Sequence, residues 1–151
     1  MSKTWGPPCW YLFHSLAAKV KEEEFENVKL SLWSIITSTC SNLPCPECRQ
    51  HATTIVYSVN KNQVLKNKVS LEKFLFDFHN SVNRRKRYKI FTAEEYESRY
   101  KNADLNKVIN LFIATFNQST RNNRLMIDSM QRQLFMKNFI NWVNTNRVKF
   151  N

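Results

Sequence analysis

The sequence predicts an all-α protein, and two observations lead to this fold class. Glycine is almost absent, with Gly6 the only one, and the four prolines all lie in the first third of the 151 residues. Hairpin turns depend on such residues, so the composition disfavours β-hairpins. Elsewhere, apolar residues recur at spacings of three and four, which is typical of amphipathic helices. The length suits one domain with a single continuous core.

The first two predicted helices are bounded by prolines. The first begins at Pro7 and Pro8, because proline suits the first turn of a helix. The second ends before Leu43 and Pro44, since a residue that precedes proline disfavours helical geometry. The apolar stripe of the first helix contains Trp10, Phe13, His14, Ala17 and Val20, and that of the second contains Phe25, Val28, Leu32, Ile35, Ile36 and Thr39.

Later helices are predicted from their caps and stripes. A third helix runs from Pro46 up to the polar stretch that begins at Asn60, and Ser70 is expected to cap a fourth. Thr92 and Glu95 form a capping box, and Asp104 can cap a further helix. Residues 125–150 are again helix-like, and the polar segment 117–123 before them is the best candidate for a linker.

The sharpest chemical motif is Cys45-Pro46-Glu47-Cys48. Two intervening residues at a helix start bring both sulfurs within bonding reach. The amides and partial positive charge of that terminus lower thiol pKa values, which favours the thiolate that performs disulfide exchange. The alternative is a zinc site, because Cys40 and His51 add two further ligands at suitable spacings.

Two further groups of residues combine polar and aromatic side chains. His79, Asn80 and Asn83 lie along one edge of the predicted fourth helix, beside its apolar stripe, and buried polar groups need partners. Trp10 and His14 lie one helical turn apart and can sandwich a flat ring. An ordinary aromatic core containing a buried histidine is the alternative interpretation of that second pair.

The composition excludes several nucleotide-binding architectures. A Rossmann fingerprint or a phosphate-binding loop needs several glycines, so any nucleotide cofactor must be held in another way. The formal net charge of +11 favours anionic ligands or acidic partners. Lysine and arginine are dispersed except at residues 84–87, so a nucleic-acid interface is not expected. No signal peptide or membrane-spanning segment is predicted.

Taken together, Trp10 to His14, Leu43-Pro44-Cys45-X-X-Cys48 and His79-Asn80-X-Val82-Asn83 resemble the Erv/ALR family of FAD-linked sulfhydryl oxidases, and most closely the compact enzymes of large DNA viruses. The resemblance covers about residues 5–100. It implies a four-helix bundle plus a short fifth helix, with extra C-terminal helices lying outside the resemblance. It also implies a bound FAD and a homodimer.

The resemblance assigns roles to individual residues. Cys45 is the outer sulfur that substrate thiolates attack, and Cys48 is the inner sulfur that passes electrons through the flavin to oxygen, yielding hydrogen peroxide. Trp10 and His14 pack around the adenine with Trp5 and Gly6 nearby. The adenosine and pyrophosphate are lined by His79, Asn80, Val82 and Asn83, and their charge is offset by Arg85 or Lys89.

Three features depart from the family pattern. Pro7 replaces an arginine that many members carry, Lys86, Arg87 and Tyr88 replace the usual leucine, glycine and lysine, and the additional disulfide of cellular members is missing. Cys9 and Cys40 are unassigned: antiparallel packing of the first two helices would allow a disulfide between them. Two buried free thiols are the alternative.

The expected organisation is an FAD-binding oxidase domain at 1–102 and a helical extension at 103–151, packed on the bundle or at a dimer or partner interface. The expected function is disulfide formation in cysteine-containing proteins, directly or through a thioredoxin-like carrier. The expected location is the host cytoplasm at viral assembly sites, and the virion. Two rival interpretations are a zinc-stabilised helical module that binds acidic partners or nucleic acid, and an inactive scaffold that keeps the fold.

Overall fold

The computed structural model describes residues 5–121 and 126–151. In chain order the helices are α1 (Gly6–Lys19), α2 (Phe25–Ser41), α3 (Pro46–Ser58), α4 (Lys61–Val64), α5 (Lys68–Lys86), α6 (Ala93–Tyr96), α7 (Leu105–Arg121) and α8 (Met126–Asn146). Short 3₁₀ turns occur at Glu22–Glu24 and Arg147–Lys149. Across these described ranges the only extended pairing is one bridge between Val20 and Phe150, so the all-α prediction is confirmed.

Helices α1, α2, α3 and α5 form the four-helix bundle, in which α1 packs on α5 and α2 packs on α3. The predicted apolar stripes face inward. Leu12, Leu32, Ile36, Leu71 and Leu75 have no exposed surface. Removing such a side chain from water contributes about 1.5–3 kcal/mol. Within the part of the chain that the structure describes, no helix has the length and apolar character needed to cross a membrane.

The beginning of α5 differs from the prediction. Ser70 is not the cap: the side chain of Asn67 accepts a hydrogen bond from Ser70 N at 2.8 Å, and the helix starts at Lys68. Asparagine is as good a cap as serine, and Asn67 alone has the extended backbone that a capping residue needs. The polar stretch before it also contains the short helix α4, capped by Asn60.

The fifth helix begins at the predicted capping box. Glu95 N donates to the Thr92 hydroxyl at 3.2 Å, and Thr92 N donates to Glu95 Oε1 at 3.0 Å. Helix α6 continues into a π-helical turn, Glu97–Lys101. The Tyr96 hydroxyl donates to Glu72 Oε2 on α5, which holds this segment against the bundle.

The C-terminal helices pack on the bundle, with α7 along α1 and α8 against α7 and α2. Asp104 caps α7 as predicted, since Lys107 N donates to its carboxylate at 3.3 Å. The linker prediction is wrong for residues 117–121, which continue α7. Residues 122 and 123 of that segment lie outside the described residues. The chain end is attached through Asn151 N, which donates to Lys19 O at 2.7 Å.

Candidate active site

The two cysteines of the Cys-X-X-Cys motif lie at the N-terminus of α3. Cys45 is the capping residue, and Pro46 occupies the first helical position, where a missing N–H costs nothing. The Sγ atoms of Cys45 and Cys48 are 2.6 Å apart, and Cys48 N donates to Cys45 Sγ at 3.3 Å. Arg49 Nη1 donates to Leu43 O at 2.7 Å and holds the loop that leads into the helix. The sulfurs are therefore placed to form and break a disulfide.

A cavity of about 410 Å³ opens beside this pair at one end of the bundle. Cys48 lines the cavity, whereas Cys45 does not. Cys48 is buried and Cys45 is half-buried, so the two sulfurs face different surroundings. The wall is formed by the beginning of α1, the end of α2, the first turns of α3, the last turns of α5 and the π-helical turn.

One wall of the cavity is a stack of flat rings. Trp10 and His79 are parallel within 8°, with ring centroids 4.1 Å apart. Behind them His14 stacks on Tyr100 at 4.4 Å. Phe78 meets the edge of Trp10 at 5.1 Å. The arrangement offers the broad apolar faces on which a planar heterocycle packs.

Two histidines from different helices form a hydrogen-bonded pair within this wall. His14 Nε2 and His79 Nδ1 are 2.9 Å apart. Burial, together with the charge of Arg99, lowers the pKa of His79 to about 3. Burial and the neighbouring His79 lower the pKa of His14 well below its usual value. Both rings are therefore neutral at physiological pH, so one can donate to the other.

The two asparagines of α5 hold the segment that follows this helix. Asn80 Nδ2 donates to Phe91 O at 3.1 Å, and Phe91 N donates to Asn80 Oδ1 at 3.0 Å. Asn83 Nδ2 donates to Lys89 O at 3.2 Å. Both asparagines are buried away from water, so their side chains need hydrogen-bond partners within the protein. Backbone groups supply these partners. The returning segment thereby lies against α5, and its Tyr88 lines the cavity.

Cationic side chains stand at the cavity mouth. Arg85 and Lys86 reach it from α5, and Arg99 reaches it from the π-helical turn. Arg99 Nη2 also contacts Glu95 Oε2 at 3.2 Å. An apolar aromatic cleft with guanidinium groups at its mouth is suited to a flat ring that carries phosphate.

Comparison with known proteins decides the family. Residues 7–101 match the model of the Erv1/Alr family. The chain belongs to the Erv1/Alr family. FAD-linked sulfhydryl oxidases from two isolates of African swine fever virus are 31% and 30% identical to it over 104 residues, which are 69% of this chain and 86% of each relative. Protein 347L of Invertebrate iridescent virus 6 is 30% identical over 54% of this chain and 78% of its own length. No solved structure matches significantly.

Some residues of the Erv1/Alr motifs line the cavity, and others do not. The predicted cofactor residues that line it are Trp5, Gly6, Trp10, His79, Val82, Asn83 and Arg85. His14 lies one layer behind, bonded to His79. Asn80 points at the returning backbone, and Lys89 is exposed and contributes only its carbonyl to Asn83. The roles of all these residues remain predictions.

Several cavity residues of this Erv1/Alr protein were not predicted as site residues. They are Tyr11, Tyr88, Arg99 and Tyr100. Tyr11 and Tyr100 meet edge to face at 4.9 Å across 89 positions of sequence. No sequence signal joined α1 to the π-helical turn, so this contact was not predicted. The cation at Arg99 supplies positive charge in a site where Pro7 replaces an arginine that the family pattern led us to expect.

The remaining cysteines, Cys9 and Cys40, are separate buried thiols that line the same cavity. Burial raises the pKa of Cys40 to about 12, and burial together with Cys40 raises the pKa of Cys9 well above its usual value. A disulfide between them remains a prediction. Among residues 5–121 and 126–151, no three His, Cys, Asp or Glu side chains come together as metal ligands, so the zinc alternative gains no support.

Proposed function

We propose that this protein is an FAD-dependent thiol oxidase that forms disulfides in cysteine-containing proteins and reduces oxygen to hydrogen peroxide. The observation that carries the proposal is the asymmetry of the cysteine pair: Cys48 lines an aromatic cavity that Cys45 does not reach. One sulfur can thus meet substrate outside while the other meets a cofactor inside. The names of the two viral relatives support the same chemistry.

The aromatic rings and cations that line the cavity suit the flat rings and phosphates of the cofactor. The ring faces of Trp10 and His79 would hold the adenine end, and Val82, Trp5 and Gly6 would line the adjoining surface. Asn83 would line the adenosine and pyrophosphate, and Arg85 would neutralise the phosphate charge. His14 and Asn80 would act from behind the wall, through His79 and Phe91 respectively. Lys89 is the least suited of the proposed ligands, because its side chain is exposed outside the cavity.

The thiol chemistry begins with the oxidised Cys45–Cys48 pair. A substrate thiolate attacks Cys45 Sγ, which forms a mixed disulfide and releases Cys48 as a thiolate. The second substrate thiolate then attacks its own partner sulfur, and Cys45 leaves as a thiolate. The substrate is oxidised by two electrons, and the pair is reduced by two; each released thiolate then takes up a proton, so that the reduced pair is a dithiol. FAD, when bound beside Cys48, would supply the two-electron acceptor that returns the pair to its disulfide, with oxygen as the final acceptor.

The decisive experiment uses the purified protein. We expect a yellow protein with the visible spectrum of oxidised flavin, and oxygen consumption when dithiothreitol is added. Both Cys48→Ser and Cys45→Ser should keep the flavin and lose at least about 100-fold in turnover, because a serine hydroxyl cannot form a disulfide. A colourless protein, or wild-type turnover in either variant, would contradict the proposal.

We also propose an oligomeric state, a location, a substrate class and a division of the chain. We infer a homodimer, a host-cytoplasmic location at viral assembly sites and in the virion, and a substrate that is a protein dithiol or a thioredoxin-like carrier. We also infer a functional division into residues 1–102 and 103–151. Analytical ultracentrifugation tests the dimer, since a single species of 18.0 kDa would contradict it.

A further inference from the structure

A third histidine, His51, shares the cavity with the inner cysteine. It follows Cys48 by three positions on α3, and both residues line the cavity. Residues three apart on a helix are neighbours on one face. His51 is half-buried, so it reaches both the cavity and solvent.

The other two histidines of the site bond to each other. His14 and His79 are buried and bonded to each other at 2.9 Å, within the aromatic wall. One ring nitrogen of each is therefore occupied by the other ring, and both side chains are buried. His51 is half-buried, and it lines the same cavity as the sulfur that the proposed function makes the electron donor.

The groups around His51 keep its ring neutral at physiological pH. Burial is the main cause that lowers its pKa, and the charges of Arg85 and Lys86 on α5 lower the pKa further. Every neighbouring element also places titratable or charged side chains on the shared cavity. Helices α1, α2 and α3 contribute Cys9 and Tyr11, Cys40, and Cys48, respectively. Helix α5 and the turn after it contribute His79, Arg85, Lys86 and Tyr88, and the π-helical turn contributes Arg99 and Tyr100.

We propose that His51 is the proton acceptor for the Cys48 thiol. This inference rests on the proposed oxidase function. Reoxidation of the reduced pair releases two electrons and two protons and forms one S–S bond. A bound FAD would accept the two electrons. His51 would take the proton of Cys48 and pass it to water, and the proton of Cys45 would leave from the outer side.

The test is the pH dependence of flavin reduction in His51→Gln, with Thr54→Ala as the matched control. Thr54 is exposed on the same helix, one turn further on, and its hydroxyl bonds only within α3. Each holoprotein is mixed anaerobically with dithiothreitol between pH 5.5 and 9.5, at concentrations high enough that the loss of flavin absorbance no longer depends on them, so that ionisation of the reagent does not limit the rate. A parallel measurement records the rate of Cys48 alkylation by iodoacetamide against pH, using mass spectrometry.

We expect the wild-type rate to hold down to about pH 6.5 and to fall only at lower pH, where His51 becomes protonated. In His51→Gln the rate at pH 7 should fall by about 100-fold. It should then rise with pH as the Cys48 thiol ionises without a neighbouring base, and Cys48 alkylation should shift in the same direction. Thr54→Ala should match the wild type in both measurements.

Two results would overturn the inference while the oxidase function stands. One is an identical pH profile in wild type and His51→Gln. The other is a wild-type rate of flavin reduction that rises through pH 8.5 with no plateau below it. This second result concerns the wild type alone, so it can be obtained even if the variant does not fold. Wild-type protein that binds no flavin would instead contradict the proposed function.

Discussion

At the scale of single residues, the buried asparagines show how a polar motif can serve the site indirectly. His79, Asn80 and Asn83 are close in sequence, and their grouping beside an apolar stripe predicted that they need partners. The structure supplies those partners from the backbone at Lys89 and Phe91. Asn80 both donates and accepts, so it replaces two hydrogen bonds that Phe91 would otherwise make with water.

Asn80→Ala should lower the free energy of unfolding by roughly 2–4 kcal/mol, because it leaves the N–H and C=O of Phe91 without their partner. Urea unfolding followed by circular dichroism measures the change. Asn62→Ala, at an exposed position in α4, is the control and should stay within about 0.5 kcal/mol of wild type. Equal stability of the two variants would show that the Asn80 bonds do not hold the segment.

The pKa values of His14 and His79 depend on the helices that pack around them and not on their neighbours in the sequence. Trp10 and His14 are four residues apart, which predicted a shared helical face. The bond from His14 to His79 joins residues 65 positions apart and depends on how α1 packs on α5. The same packing excludes water and lowers the pKa values of both rings.

At the scale of elements, proline positions and caps located the helix boundaries that matter for the site. Pro44 and Pro46 end one helix and begin the next, and so place Cys45 at a helix N-terminus. The predicted cap of α5, Ser70, was three residues late, although asparagine and serine are both good capping residues. The structure places Asn67 in the extended backbone of a cap and starts the helix at Lys68.

Asn67→Ala should destabilise the protein by about 1 kcal/mol, because Ser70 N loses its acceptor. Ser70→Ala should be close to neutral, since that side chain lies within the helix and alanine is the best helix former. Thermal unfolding of the two variants makes the comparison. The reverse order, with Ser70→Ala the more damaging change, would restore serine as the cap.

At the scale of the whole molecule, the bundle and the C-terminal helices share one hydrophobic core. Phe112 and Phe116 of α7 are buried together with residues of α1, and Phe139 of α8 meets Phe112 at 5.1 Å. Trp142 Nε1 also donates to Ser31 Oγ on α2 at 2.9 Å. A boundary at residue 102 therefore agrees with the extent of the family match. It does not divide the hydrophobic core, which includes residues on both sides of it.

Phe112→Ala should cost about 3–5 kcal/mol and should destabilise the flavin-binding half together with the C-terminal helices in one transition. Flavin release reports on residues 1–102, and hydrogen exchange of peptides from α8, followed in the same urea titration, reports on the C-terminal helices. Leu111→Ala is the matched control, because Leu111 is 52% exposed and should change stability by no more than about 0.5 kcal/mol. Separate transitions for flavin release and for exchange in α8 would indicate two independent units.

The sequence by itself determined the helical class, most helix boundaries and the Cys-X-X-Cys motif, because these depend on local propensities and on spacings within one or two turns. It also carried the three motifs that resemble the Erv/ALR family. Only the tertiary structure decided that Cys48 and His51 line a cavity while Cys45 does not, and that Tyr11, Arg99 and Tyr100 join it. These relations depend on which helix faces pack together, and the free energy of that packing comes from contacts between residues that are distant in the chain.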